Sequence, residues 1–328
     1  MFRAKATAPL ALLAVLSLAA CSATPSTGES ASQENPFPDS PITLIVPFPA
    51  GSGPDASARV IALELESDLG VSVIVENIEG GSSTIGQFEL ASAAPDGYTI
   101  GYVAATGISV QSRLIDTPFQ GLESLTPIAE TSTTANVMFT SPNSGIETIA
   151  DFVKAAKASP GKLTVGLGNR ASGQDIQLAL LEKAAGIDVK PVYFDAGQMV
   201  LPAVNGTVDV SVAQFGPVVQ YVDKGNLIYV GAFDAPDSLD VALFADEGYD
   251  TDRWNGWEGA FGPAGMDPAV VAILSDAVGR AIKSKSYQNY VTKTFGIPSF
   301  VGWDEFADVA AQTDADSIAL IDEMDLKK

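Results

Sequence analysis

Ile42-Thr43-Leu44-Ile45-Val46-Pro47-Phe48-Pro49-Ala50-Gly51-Ser52-Gly53-Pro54-Asp55 reads as an apolar strand, a turn and the opening of a helix. Pro47 ends the apolar run, and from Asp55 onward Ala58, Ile61, Ala62, Leu65 and Leu69 recur at helical spacing. The same grammar repeats downstream. Strands are expected at 71–75, 98–103, 163–166, 189–194, 208–213 and 228–232. Helices alternate with them at 84–93, 149–158, 174–185, 199–204 and 218–222. Such alternation predicts an α/β fold with mainly parallel sheets covered by helices on both faces. Roughly 290 residues follow the first forty, more than one core holds, so two domains are expected.

The start of the chain has a different character. Arg3 and Lys5 precede an apolar run from Ala8 to Ala20, which ends in Leu18-Ala19-Ala20-Cys21. That run is short of the roughly 20 residues that span a bilayer. A basic start, a short apolar core and small residues before a cut mark 1–20 as a secretory signal. The run resembles a bacterial lipobox, which implies that Cys21 is lipidated and holds the protein at the outer face of the cytoplasmic membrane. Cys21 is the single cysteine, so no disulfide is available to the exported fold. Residues 21–40 are rich in Ser, Thr and Pro and are expected to form a flexible tether with a reach of about 25 Å.

Composition excludes several classes. Without Arg3 and Lys5 the chain carries 16 basic against 40 acidic residues, a net −24, which disfavours nucleic acid and anionic lipid as partners. Histidine is absent, which removes Ser-His-Asp and Cys-His sites and the commonest zinc ligand. Beyond residue 235 an acidic stretch holds Asp246, Glu247, Asp250 and Asp252, but its spacing is not that of an EF-hand. It reads as a solvated loop. No metal and no cofactor are expected.

Chemistry concentrates in three glycine-rich turns, each before a helix: Pro47 to Asp55, Glu79 to Gly86, and Gly166-Leu167-Gly168-Asn169-Arg170-Ala171-Ser172-Gly173-Gln174. Glycine lets backbone approach a ligand, and a helix N-terminus offers unpaired N–H donors, so each turn can seat an anion. Open α/β sheets bind ligands at the carboxyl ends of their strands, where these turns lie. Gly166, Gly168 and Ala171 also fit G-x-G-x-x-A, with Asp195 ending the next strand, a dinucleotide pattern that an exported protein has little use for. Arg170 has the planar fork that suits a carboxylate, although it can equally pair with a surface Asp.

These segments together resemble the Bug-type substrate-binding proteins of tripartite tricarboxylate transporters. The resemblance runs through Pro41 to Gly51, Asp55, Ala58 and Arg59, Val75-Glu76-Asn77 with Gly80-Gly81, and Ala94-Pro95-Asp96-Gly97-Tyr98-Thr99. It continues in Pro160-Gly161-Lys162-Leu163-Thr164, Ser172-Gly173-Gln174, Gly206-Thr207-Val208-Asp209, Trp257, Gly259 and Phe261-Gly262-Pro263-Ala264-Gly265. It implies a periplasmic-binding-protein-like fold of type II, with lobe one at 41–140 plus 253–328, lobe two at 141–252, and hinges near 140 and 250. It further implies a monomer that captures a small organic acid between the lobes and delivers it to membrane permease subunits. By position, lobe one would contribute Phe48, Ala50, Gly51, Ser52, Asp55, Ser83, Thr84 and Thr106. Lobe two would contribute Asn169, Ser172, Gln174, Asp195, Gln198 and Gln214, with Arg170 added from its own turn. Ala196 departs from the family's glycine, and Ser52 and Arg170 are unusual there.

An acidic receptor can hold an anion. One exposed carboxylate 15 Å away repels a ligand charge by about 0.3 kcal/mol in water, before salt screens it. One charge-assisted hydrogen bond contributes about 1.5–3 kcal/mol. Two other readings stay open from sequence: an exported enzyme using Asp55 and Asp195 as acid and base, and a receptor presenting ligand to a membrane kinase.

Overall fold

The computed structural model describes residues 37–194, 198–251, 254, 256–324 and 326. The expected signal at 1–20, Cys21, most of the tether and Asp195 lie outside the described residues.

The chain runs β1 (Ile42–Val46), α1 (Gly53–Leu69), β2 (Val73–Asn77), α2 (Thr84–Ser92), β3 (Thr99–Ala104) and, after a π-type turn at Gly107–Gln111, α3 (Ser112–Leu114). β4 (Leu125–Thr133) and β5 (Asn136–Thr140) follow, then α4 (Ile149–Ala158), β6 (Thr164–Leu167), α5 (Gly173–Ala185), β7 (Lys190–Tyr193) and α6 (Val200–Val204). β8 (Val210–Gln214), α7 (Phe215–Asp223), β9 (Ile228–Ala232), β10 (Trp257–Pro263), α8 (Pro268–Ile282), α9 (Lys285–Thr294), β11 (Ile297–Gly302) and α10 (Trp303–Glu323) complete it. α1 opens two residues before Asp55 because Pro54 suits the first helical turn, and it ends on Gly70 at φ 72. That left-handed cap delays β2 to Val73, beyond the expected 71.

A 6-stranded sheet has the order β11-β4-β10-β3-β1-β2, and a 5-stranded sheet the order β7-β6-β8-β5-β9. β1 pairs in parallel with β2 and β3, and β6 in parallel with β7 and β8, as the helix-linked alternation requires. Both sheets are nevertheless mixed. β10 lies antiparallel between β3 and β4, and β5 lies antiparallel between β8 and β9. Each inserted strand is the one that has just crossed from the other sheet. It arrives without a covering helix, so nothing obliges it to run parallel. β11 adds an antiparallel edge on β4.

The two crossovers run side by side, tied by the Thr134 N–H donating to the Gly256 carbonyl at 2.7 Å. The first passes from β4, ending at Thr133, to β5, starting at Asn136, so the change of sheet comes earlier in the chain than the expected 140. The globular part also begins earlier than 41. Phe37 packs its ring edge-on to Tyr98 at 5.2 Å, and the Tyr98 hydroxyl donates to Asp39 at 2.6 Å, so Phe37–Ser40 is docked rather than tether.

Ile42, Leu44 and Val46 meet Ile61 and Leu65 of α1 and Leu274 and Val278 of α8 in one core. On the other face of this sheet, Phe261, Phe306, Leu320 and Ile321 meet Ile176 and Leu180 of α5, so an apolar seam joins the two sheets' helices. Trp254, on the second crossover and 2% exposed, belongs to that seam and donates its indole N–H to Ser317 at 3.0 Å. Among the described residues no helix is long and apolar enough to cross a membrane.

Candidate functional site

Two helix N-termini are presented by the same local device. Gly51-Ser52-Gly53-Pro54-Asp55 leads into α1, and Ala171-Ser172-Gly173-Gln174-Asp175 leads into α5. Ser52 caps α1 at φ −70, ψ 166, and Ser172 caps α5 at φ −74, ψ 167. The preceding Gly51 and Ala171 sit at φ 83 and φ 59. In each turn the aspartate reaches back to the left-handed residue: Gly51 N–H donates to Asp55 Oδ2 at 2.8 Å, and Ala171 N–H to Asp175 Oδ2 at 2.7 Å. In each turn the carboxylate pairs the N–H of the left-handed residue and so fixes the turn ahead of its helix.

The space between the sheets is a cavity of about 480 Å³. Phe48 of the β1–α1 loop and Pro54 of α1 line it, with Glu79, Gly80, Ser82 and Ser83 from the loop after β2 and Ala105 and Thr106 just after β3. Asn136, Asn169, Ser172, Gln174 and Gln214 close it from the second sheet. The crossovers add Thr134, Trp254 and Gly256, and β10 adds Trp257 and Glu258. Among its described lining residues none is Lys or Arg. Donors therefore come from hydroxyls, side-chain amides and the backbone at the start of α5. Gln174 Nε2 donates to Asn136 Oδ1 at 3.3 Å, and Asn136 Nδ2 donates to Gln177 at 2.8 Å, which fixes the amides. Gln111 Nε2 reaches across to the Ala171 carbonyl at 3.1 Å, a polar tie between the lobes at the cavity's edge.

Among the described residues, the loop after β2 has the longest run of left-handed backbone. Gly80, Gly81, Ser82 and Ser83 hold φ of 120, 55, 50 and 78 in succession. Two serines in a region that favours glycine are strained, and the strain lies on the cavity wall. Thr84 Oγ1 stabilises the turn by donating to Gly81 O at 2.7 Å, and Gln87 Nε2 donates to Ser83 Oγ at 3.3 Å.

The expected site residues divide. Phe48, Ser83, Thr106, Asn169, Ser172, Gln174 and Gln214 line the cavity. Ala50, Gly51, Ser52, Asp55 and Thr84 do not; they build the turns behind it. Asp55 is 2% exposed, and its oxygens accept from Gly51, Arg59 and Asn77. Burial is the largest influence and pushes its carboxyl up, but those bonds together outweigh it and hold the carboxyl at about 2. Thr84 is buried with its hydroxyl spent on Gly81.

Arg170 is placed away from the main cavity. It lines an open hollow with Asn169, Tyr193, Phe194 and Gln198, and another between α5 and α10. The left-handed Ala171 turns the chain between them. Arg170 is close enough to Asp175 and Tyr193 for its charge to be felt by both. Burial pushes Asp175 up, opposed by its bonds to Ala171 N–H and to the Tyr193 hydroxyl at 2.9 Å. Gln198 keeps company with Arg170, and Asp195 lies outside the described residues.

Residues not singled out from sequence include Asn136, Gln111, Glu79, Trp254 and Glu258. Glu258 left a trace, as the lone charged side chain in the otherwise apolar or glycine strand Trp257–Pro263. Among the described residues no group of three or more His, Cys, Asp or Glu side chains could hold a metal ion.

Known proteins resemble this arrangement. The family described as tripartite tricarboxylate transporter family receptor matches residues 57–326. The chain is similar to Protein BugT of Bordetella pertussis, 28% identical over 260 residues, covering 76% of this chain and 78% of that protein. A TctC solute binding protein from Polaromonas shares the fold at TM-score 0.77 and 23% identity, over 88% of this chain and 99% of that one. MatC from Rhodopseudomonas palustris with bound malate superposes at TM-score 0.69 and 22% identity, over 87% and 100%.

Proposed function

Because the chain belongs to the tripartite tricarboxylate transporter receptor family, we propose that it is an exported receptor that captures a small carboxylate between its lobes and delivers it to membrane permease subunits. One observation carries the reading. The start of α5, through Ser172, Gly173 and Gln174, meets Ser82, Ser83, Thr106, Asn136 and Asn169 on a cavity of about 480 Å³ whose described lining contains no Lys or Arg. Neutral dipoles and N–H donors suit a carboxylate there without the desolvation cost of a buried lysine. The malate bound by MatC makes dicarboxylates the first class to try. The lobes are 37–133 with 257–326, and 136–251. They close about the paired crossovers, and the chain acts as a monomer. Cys21 is the lipid anchor, and Phe37 marks where tether gives way to fold.

A thermal-shift screen of di- and tricarboxylates, aromatic acids and amino acids tests the capture. A ligand at a hundredfold over its Kd stabilises the fold by about 2.7 kcal/mol. No shift with any carboxylate sinks the proposal. Metabolic labelling with a radioactive fatty acid tests the anchor: label should enter the wild type and be absent from Cys21→Ser.

A further inference from the structure

Glu258 takes no part in either helix-end turn, yet it lines both compartments of the space between the lobes. It faces the main cavity and also a second hollow of about 410 Å³ bounded by Ser57, Tyr287, Tyr290 and Lys293. Pro54, Thr134 and Gln214 share this dividing wall. Within Trp257–Pro263 it is the only charged residue type, set in a strand that is otherwise apolar or glycine.

Its surroundings are hydroxyls. Tyr102 of β3, 1% exposed, donates to Glu258 Oε2 at 2.9 Å, and Ser57 of α1 lies 2.9 Å from the same tyrosine oxygen. Ser132 of β4 also bonds the carboxyl. The titratable groups facing it are Tyr102 from β3, Tyr287, Tyr290 and Lys293 from α9, and, across the main cavity, Glu79. Among the described residues no Lys or Arg lies within ion-pair distance of it. Burial pushes the Glu258 carboxyl up, and the bonds from Tyr102 and Ser132 only partly oppose this. A ligand carboxylate entering the same cavity brings a like charge, which favours one shared proton over two anions.

We infer that Glu258 takes a proton from solvent when a carboxylate enters the cleft and, as the neutral acid, donates its O–H to the ligand. Capture of the anion is thereby coupled to one proton. This rests on the cleft being a carboxylate site. The carboxyl's pKa is higher in the complex than in the free protein. Affinity is therefore full below the free-protein value and is lost as pH rises through the higher one. The coupling selects ligands that present an ionised oxygen to β10, and it removes one of the negative charges that the acidic lining would otherwise oppose.

Isothermal titration with malate, adipate and benzoate, in buffers of differing ionisation enthalpy, counts the proton. Between about pH 7 and pH 8 these ligands are almost fully ionised, so they take up little proton themselves. Wild type should take up as much as one proton per ligand and lose up to about tenfold in affinity per pH unit. Glu258→Gln keeps an acceptor for Tyr102 and an N–H for the ligand. It should bind with affinity independent of pH and with no proton uptake. Wild-type binding without proton exchange overturns the inference alone, and needs no variant to be folded. A Gln variant that keeps the wild-type pH slope does the same. Absence of binding by every carboxylate across the range overturns the carboxylate reading and this inference with it.

Discussion

Replacing Asp55 by Asn tests whether the clamp on the first turn holds the fold. The carboxyl stands at about 2 against an ordinary 3.8. That gap corresponds to about 2.4 kcal/mol of folding free energy at neutral pH. Arg59, one of its partners, has a side chain 48% exposed, so solvent screens part of that, and about 1.5 kcal/mol is the expected loss. Asn also puts an N–H₂ group where Gly51, Arg59 and Asn77 all present donors, so at least one bond is lost outright. The sign is fixed by the direction of the shift. A depressed folded-state pKa contributes stability that is complete above 3.8 and disappears as pH falls through about 2. Near pH 3 about half of it should remain. Urea unfolding followed by the fluorescence of Trp254 and Trp257, both 2% exposed, reads the difference between wild type and variant. An unchanged midpoint at pH 7 refutes the clamp. A loss as large near pH 2 as at pH 7 refutes its ionic origin.

Ser82→Val places a β-branched residue at φ 50 on an exposed site, so it should destabilise by more than about 1 kcal/mol through backbone strain alone; an unchanged urea midpoint counts against that strain. Leu180→Ala, 3% exposed in the seam between α5 and α10, should cost about 2–4 kcal/mol, and a loss under about 1 would mean the seam is loose. Arg170→Ala should leave carboxylate affinity within about twofold, since the side chain lies outside the main cavity; calorimetry showing a tenfold loss, about 1.4 kcal/mol, would return Arg170 to the site.

Legibility from sequence followed range. Helix starts, the glycine turns and the strand periods depend on neighbours a few residues apart, and these were readable. Ser172, Gln174 and Ser83 are on the cavity wall because turns after parallel strands open at one edge of a sheet. Asp55 and Thr84 were readable as turn residues, but which side of the turn they served was not. A carboxylate within reach of backbone N–H groups looks the same from sequence whether it caps its own loop or meets a ligand. Arg170 shows the converse. Its fork is plain in the sequence, but the left-handed φ of Ala171, a non-glycine residue, has no local sign there of where the preceding side chain is carried.

An α/β chain and three glycine-rich turns opening helices are properties of short segments, and the sequence carries them. Tertiary structure alone decided that β5 and β10 insert antiparallel, that the crossovers lie side by side, and that Glu258 stands on the wall between two compartments. Those outcomes rest on partners distant in the chain, such as Tyr102 and Glu258, 156 residues apart, or Gln111 and Ala171, 60 apart. Local propensity does not encode such pairings, since the entropy of closing so long a loop is repaid only when the whole core forms.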